Sequence, residues 1–259
     1  MTTFPRGIDQ PATGPEGSSA RSERTAHLCA ETALFMRDHV LSLVSHDLRS
    51  PLNAIHSWAY VLERKVDTAD ATAQRALGGI RSGVEQQVRL LESIVDTTRT
   101  ETKSLALTRA PFALRPMIEA TAGEVRGALA GARGVTIAVN SPLADETLNG
   151  DKERLAQALW LMLTYAVESS AREATVMLAC TADASTWHAS ASFTSTADAL
   201  GDPAFAHLLE AFARRQALEP REAGRIAWVL ALCKRIAEAH GGQFEQKEDT
   251  LTLRIPRVS

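Results

Sequence analysis

The sequence predicts an α+β protein in which an antiparallel helical hairpin precedes an α/β sandwich. Apolar residues recur every seven positions in the first third of the chain, which is the spacing typical of helices that pack in a bundle. Short alternating strands interleaved with apolar helices follow, and this pattern favours a sheet covered by helices. The 259 residues are 45% hydrophobic, which is enough to bury a sizeable core.

Turn-forming residues dominate positions 1–23, so this segment is predicted to be a disordered tail. The first helix is expected over residues 24–66, and a polar turn at 67–70 ends it. Its heptad stripe, called the seam below, consists of Leu34, Leu41, Leu48, Ile55 and Leu62.

A second helix is predicted over residues 71–103, with Leu77, Val84 and Leu91 in heptad register. Two long helices joined by a short turn form an antiparallel hairpin. One hairpin leaves its own apolar stripe uncovered, whereas two hairpins make a four-helix bundle. Residues 24–106 are therefore predicted to form a homodimer.

Residues 107–259 are predicted to fold as the sandwich. Three helices are expected there, at 151–170, 205–214 and 226–240. Strands are expected at 135–139, 148–150, 174–182, 187–193, 243–247 and 251–255. The last helix is predicted to end at the glycine pair formed by Gly241 and Gly242.

His46 lies outside the seam, and because it follows Leu41 by five positions its imidazole is expected to face solvent. Asp47 is its neighbour, and Ser50 lies about one helical turn further along the same face. Pro51 removes a backbone hydrogen bond, so a bend is predicted just after the histidine. A solvated histidine is the plain interpretation of His46 alone, but the surrounding residues favour a chemical site.

The string SHDLRSPLNAI at 45–55 resembles the H-box of the two-component sensor histidine kinases. Later strings resemble the ATP-binding domain of the same family: GDKERLAQAL at 150–159, LEAF at 209–212 and ALCKRIAEAHGG at 231–242. The resemblance implies a dimeric phospho-acceptor hairpin followed by an ATPase-type sandwich. It also implies that the partners are the receiver domains of response regulators.

The nucleotide-binding motifs of that family are not matched. Leu161 and Tyr165 stand where the family has asparagines that hold Mg²⁺, and Glu168 stands where it has a basic residue. Leucine offers a hard cation no oxygen ligand, and Glu168 adds negative charge where phosphate would bind. The two glycine-rich motifs correspond to residues 193–200 and 225–229, which lack the glycine spacing. We therefore predict that the chain binds no ATP, no other cofactor and no metal.

The predicted site consists of His46, Asp47, Arg49 and Ser50. A neutral imidazole is a nucleophile that takes a phosphoryl group from a receiver aspartate or returns it. Asp47 is expected to orient the ring, and Ser50, by the resemblance, to place a water against a receiver acyl phosphate. Arg49 is expected to pair with phosphoryl oxygens or an acidic partner surface, or else to be a solvated charge.

Composition excludes several classes of function. The net charge of −3 and the dispersed basic residues argue against nucleic acid binding. Cys29, Cys180 and Cys233 are odd in number and far apart, which indicates a reducing compartment without disulfides or a metal cluster. The longest apolar run, 155–167, is too short to cross a bilayer, and no signal peptide opens the chain. A cytoplasmic protein is expected, one that senses through partners such as a histidine kinase.

Three functional hypotheses stay open. The first is a phosphotransfer or phosphatase protein that exchanges phosphoryl groups with receivers through His46. The second is a non-catalytic pseudokinase that regulates a kinase or a receiver by complex formation. The third is an active histidine kinase with a divergent nucleotide pocket. The intact H-box favours the first over the second, and the departures in the nucleotide motifs disfavour the third.

Overall fold

The computed structural model describes residues 16–65, 70–102, 105–219 and 226–257. A helical hairpin is followed by a mixed α/β sandwich, so the predicted fold class is confirmed. The predicted boundary near residue 106 falls in the non-helical segment 105–109. Residues 1–15 of the predicted tail lie outside the described residues.

The hairpin consists of α1 (Glu16–Glu63) and α2 (Ala71–Thr102). Helix α1 starts eight residues earlier than predicted, since Ala20 and the charged residues around it are good helix formers. The Asp70 carboxylate caps α2 by accepting hydrogen bonds from two backbone amides at 3.0 Å. Pro51 lies inside α1, and the bend after His46 stays a prediction.

The two helices of the hairpin bury Ala59, Leu77 and Val84 against each other. The seam residues are not covered in this way, since each of them remains at least 41% exposed. A large apolar stripe therefore runs along the outside of a single hairpin.

Two sheets make up the β-structure of the sandwich. Strands β1 (Ala110–Ala113) and β3 (Thr147–Gly150) pair antiparallel. The larger sheet has the strand order β2-β4-β5-β7-β6, with β2 parallel to β4 and the other pairs antiparallel. Its strands are β2 (Thr136–Asn140), β4 (Thr175–Ala182), β5 (Thr186–Ser192), β6 (Gln243–Lys247) and β7 (Thr250–Pro256).

Helices cover one face of the larger sheet. They are α3 (Leu114–Val125), which continues through a π-turn (Arg126–Ala130) into α4 (Gly131–Arg133), then α5 (Lys152–Ser169), α6 (Ala197–Gly201), α7 (Ala211–Leu218), a 3₁₀ turn (Trp228–Leu230) and α8 (Ala231–Ala239). Helix α5 is the centre of the core, since every residue from 155 to 169 is buried. The N-terminal part of α1 also joins this core through Leu28 and Met36.

Most predicted elements of the sandwich are found within one or two residues, but two regions differ. The helix predicted over 205–214 is wrong in its first half, because regular helix begins at Ala211. The helix predicted over 226–240 is shorter, since residues 226–227 are not helical and a 3₁₀ turn precedes α8. Helices α3, α4 and α6 were not predicted.

Candidate functional site

His46 lies on the exposed side of α1, where its offset from the seam predicts it. Its side chain is 83% exposed, and its Nδ1 atom is 3.3 Å from Oδ1 of Asp47. A hydrogen bond from Nδ1–H to this carboxylate leaves the lone pair on Nε2, the nitrogen that points away from Asp47. The arrangement suits a nucleophile that a large partner can reach.

The other two predicted site residues are also exposed on α1. Arg49 extends to α2, where its guanidinium is 3.7 Å from the carboxylate of Glu92. Ser50 follows His46 by four positions and therefore shares its face. The structure thus brings His46, Asp47 and Ser50 to one surface, and the roles of all four residues stay predictions.

A cleft of about 1300 Å³ separates the His46 region of α1 from the sandwich. The α1 wall consists of His39, Leu43, Val44, His46 and Asp47. The sandwich wall consists of Ile226, Trp228 and Lys234, of Phe244, Glu245, Gln246 and Lys247 in β6, and of Glu248 in the β6–β7 turn. Burial lowers the pKa of His39, and the nearby cations Arg235 and Lys234 lower it further.

The positions that correspond to the magnesium-binding asparagines of the family belong to the core of the sandwich. Leu161 has no exposed surface, and Tyr165 is 3% exposed. The Tyr165 ring packs edge-on against Phe193, with 6.1 Å between ring centroids, and its hydroxyl accepts a hydrogen bond from Gln246 at 3.4 Å. These side chains fill space and offer no carboxylate or amide oxygen to a cation.

Glu168 is buried, and its carboxylate has an internal role that the sequence did not suggest. It accepts hydrogen bonds from the backbone amides of Leu208 and Leu209 at 2.7 and 2.9 Å, and it lies 2.8 Å from Nδ1 of His207. The expectation that Glu168 presents charge to a phosphate site is therefore incomplete. Its charge is used to hold the chain segment before α7 against α5.

Arg133 holds the same segment from the other side. Its guanidinium donates to the carbonyl oxygens of Glu168, Ala199 and Ala206 at 2.8 to 3.0 Å. The cation also lies 4.5 Å from the ring centroid of Phe205. Glu168 and Arg133 explain why residues 202–209 are not helical, because both take up backbone groups that a helix would need.

Backbone amides in the region of the second glycine-rich motif are hydrogen-bonded to side chains of the chain itself. The Ala227 amide donates to Oε1 of Gln246 at 2.8 Å, and the Trp228 amide donates to Oε1 of Gln216 at 2.9 Å. In the family such amides approach phosphates. Arg225, the first residue of this stretch, lies outside the described residues.

Sequence reasoning missed His207, Arg133, Gln216 and Gln246. Charged and amide side chains are usually solvated, and no spacing pattern distinguishes those that are buried in loops. The one available signal was Glu168 itself, because a carboxylate at the end of a strongly apolar helix needs a partner.

Comparison with known proteins identifies the family. The model of the His Kinase A (phospho-acceptor) domain matches residues 36–103. The crystal structure of a histidine kinase from Burkholderia phymatum STM815 is 57% identical in sequence to this chain, with a TM-score of 0.76. The match covers 92% of this chain and 99% of the relative. The chain belongs to the two-component sensor histidine kinase family. This confirms the resemblance seen in the H-box.

Curated histidine kinases of this family are more distant. Sensor protein GacS of Pseudomonas syringae pv. syringae is 25% identical over 237 residues, and BaeS of Escherichia coli (strain K12) is 24% identical over 220 residues. These matches cover 86% and 81% of this chain but 25% and 43% of the relatives. The histidine kinase homologue described here therefore spans less than half the length of these relatives. Among its described helices, none is both long and apolar enough to span a membrane.

Proposed function

We propose that this histidine kinase homologue exchanges phosphoryl groups between His46 and the receiver aspartates of response regulators, without charging itself from ATP. The observation that carries the proposal is a contrast between two sites. His46 is 83% exposed beside a carboxylate, as a phosphoryl carrier requires. The positions that the family uses for nucleotide are instead filled and hydrogen-bonded by the chain itself.

The reaction at His46 needs no group from the sandwich. The Nε2 lone pair attacks the phosphorus of an aspartyl phosphate, the phosphorus–oxygen bond to the aspartate breaks, and the aspartate leaves as a carboxylate. The imidazole gains positive charge as the bond forms, and the Asp47 carboxylate 3.3 Å from Nδ1 stabilises it. The reverse reaction returns the phosphoryl group to a receiver, and Ser50 positions a water when the acyl phosphate is hydrolysed instead.

A magnesium nucleotide does not fit the residues of the sandwich. Leu161 and Tyr165 supply no carboxylate or amide oxygen ligand, and Glu168 is held by two amides and a histidine. The amides of Ala227 and Trp228 would have to leave Gln246 and Gln216 before they could hold a phosphate. In the proposed reaction the phosphoryl donor is therefore an aspartyl phosphate and not ATP.

The first experiment follows phosphate on His46. Receiver domains charged with acetyl phosphate are mixed with the purified chain, and phosphohistidine is located by mass spectrometry at alkaline pH. The wild type is expected to gain phosphate at His46. The variant His46→Gln is expected to gain none, whereas His56→Gln, which changes another histidine of α1, behaves as wild type. Relay of phosphate by His46→Gln would contradict the proposal.

The relative from Burkholderia phymatum carries the name histidine kinase, and this favours an active kinase as the second candidate function. A calorimetric titration with Mg-ATP at millimolar nucleotide separates the two. We expect no heat of binding. Saturable binding followed by labelling of His46 from ATP would establish the kinase instead.

A non-catalytic pseudokinase is the remaining alternative. It predicts that a partner kinase or receiver is regulated equally well by the wild type and by His46→Gln. The phosphotransfer proposal predicts that regulation is lost together with the histidine. A cytoplasmic location and a homodimer, formed through the seam, complete the proposal.

A further inference from the structure

The N-terminal part of α1 contacts the sandwich along one face of the helix. Thr25, Leu28, Thr32 and Met36 are each 8% exposed or less. They are spaced by three or four residues, so they line a single helical face. We call residues 24–37 the clamp segment.

Apolar contacts form the centre of this interface. Leu28 and Met36 belong to the same hydrophobic cluster as the core of the sandwich. Cys29, Thr32 and Met36 share one small cavity with side chains of α5 and α7 and of the segments around them. Its sandwich lining includes Trp160, Leu209, Ala213 and Val229.

Polar contacts surround the apolar centre. Glu31 accepts a hydrogen bond from the buried amide of Gln157 at 2.8 Å and lies 3.2 Å from the guanidinium of Arg154. At one end Arg24 pairs with Glu153 at 2.9 Å and with Glu124 at 3.4 Å. At the other end Arg37 lies 3.5 Å from Glu210. The contacts therefore extend along about 20 Å of α1 at a rise of 1.5 Å per residue.

The clamp face is the face that carries His46. Leu28 and His46 are 18 residues apart, which is about five full turns of an α-helix. The seam lies on the other side of α1, since Leu34 follows Thr25 by nine residues, or about two and a half turns. One side of α1 thus carries the sandwich and the phospho-acceptor, and the opposite side carries the seam.

We propose that residues 24–37 act as an intramolecular clamp that fixes the sandwich to the His46 face of α1, so that hairpin and sandwich move as one body. The sandwich wall of the cleft, with Trp228 and Lys234, is then a constant part of the surroundings of His46. A partner must approach the histidine from the side that the sandwich leaves open. The clamp would hold whether or not His46 carries a phosphoryl group.

Cys29 is a natural reporter of the clamp. It lies within the clamp segment and is partly buried. Burial raises the pKa of its thiol to about 11, and the negative charge of Glu168 adds to the effect. An alkylating reagent should therefore reach Cys29 slowly while the clamp is closed. Cys180 and Cys233 are fully buried in the sandwich and report whether the fold itself is intact.

The test is alkylation of the full chain by iodoacetamide, with each thiol followed by mass spectrometry. Cys29 of the wild type is expected to react at least tenfold more slowly than the thiol of a synthetic peptide of residues 24–37. The double variant Glu31→Ala with Met36→Ala should bring its rate close to that of the peptide. Leu34→Ala, a truncation on the opposite face of the same helix, should leave the rate unchanged.

Two outcomes would overturn the clamp. One is a wild-type rate equal to that of the peptide, and the other is a double variant no faster than Leu34→Ala. Protected Cys180 and Cys233 show that the double variant is folded. If these thiols also react, Glu31→Gln alone decides the matter, because it keeps the side-chain shape and removes the charge that pairs with Arg154.

Discussion

Glu168 has a structural role in this chain, at a position where the family resemblance places a basic residue. Its carboxylate is fully buried, and three donors from the segment before α7 converge on it. Hydrogen bonds to a charged group are stronger than neutral ones, and a buried donor that loses its partner destabilises the fold. The residue therefore stabilises the segment before α7.

The variant Glu168→Lys, which puts a basic residue at this position, should be strongly destabilised. It leaves the Leu208 and Leu209 amides without an acceptor and places a second cation near Arg133. We expect the free energy of unfolding in urea to fall by about 3 kcal/mol or more. Glu238→Gln, at a surface carboxylate, should change it by less than about 0.5 kcal/mol. A Glu168→Lys protein as stable as wild type would show that the carboxylate is dispensable.

His240 joins the end of α8 to the start of α5. Its Nδ1 donates to the carbonyl of Ile236 at 2.8 Å, and its Nε2 accepts from the backbone amide of Asp151 at 3.0 Å. The bond from the Asp151 amide requires the neutral imidazole, because an imidazolium has no lone pair on Nε2 to accept it. Burial lowers the pKa of His240 below its usual value of 6.5, although the Ile236 carbonyl acts in the opposite direction.

This histidine makes stability depend on pH in a defined direction. Because the pKa is lower in the folded state, the unfolded chain binds more protons, and stability falls as the pH decreases below about 6.5. The slope from this group is at most about 1.4 kcal/mol per pH unit. Thermal unfolding measured between pH 7.5 and 5.5 should show this loss, and His240→Gln should reduce it. The pKa of His39 is also lowered, so His39 makes stability fall with decreasing pH as well. If the pH dependence of stability is the same in His240→Gln as in the wild type, the loss does not come from His240.

At the scale of single elements, the turn between α8 and β6 depends on two glycines for different reasons. Gly241 has a φ of 76°, a conformation that side chains disfavour. Gly242 faces the backbone of β7, where an added Cβ would lie 2.1 Å from the carbonyl oxygen of Arg254. The first glycine supplies backbone freedom, and the second allows the chain to pass close to the sheet.

These two reasons predict different costs of substitution. Gly241→Ala should lower stability by about 1 to 2 kcal/mol, the cost of a left-handed conformation. Gly242→Ala should cost more, about 3 kcal/mol or above, because neither the turn nor the Arg254 carbonyl can move without breaking sheet hydrogen bonds. Chemical denaturation of both variants gives the comparison. Equal losses would mean that β7 shifts to accommodate the methyl group.

The sequence allowed prediction of elements with a clear period and failed where tertiary contacts decide. The hairpin, α5 and the strands of the larger sheet follow their apolar spacing. Helix α3 was missed because Pro116 lies near its start and the small residues Thr121 and Ala122 occupy its buried face. The start of α7 was wrong because Glu168 and Arg133 hold the preceding segment. The exposed position of His46 followed from its offset to the seam, whereas the hydrogen bonds that fill the nucleotide region involve partners distant in sequence.

At the scale of the whole molecule, α1 serves two interfaces on opposite faces. One face holds the sandwich through the clamp segment and carries His46. The other face, the seam, is exposed along the hairpin, and Trp58 beside it is 67% exposed. A monomer would leave this long apolar stripe in water, which soluble proteins rarely tolerate. The second copy in the proposed dimer can therefore pair along the seam without displacing the sandwich.

A substitution in the seam should separate the copies. In a two-fold symmetric interface each substitution acts twice, and burying an Ile side chain is worth about 1.5 to 3 kcal/mol. Ile55→Lys should therefore weaken dimerisation by a factor of about 100 or more, since 1.4 kcal/mol corresponds to a factor of ten. Light scattering coupled to size-exclusion chromatography at micromolar concentration should give twice the chain mass for the wild type and the chain mass for the variant. Ser57→Lys, at an exposed residue two positions away on another side of α1, should remain dimeric. A monomeric wild type, or a dimeric Ile55→Lys, would exclude the seam as the interface and leave its exposed apolar residues to a different partner.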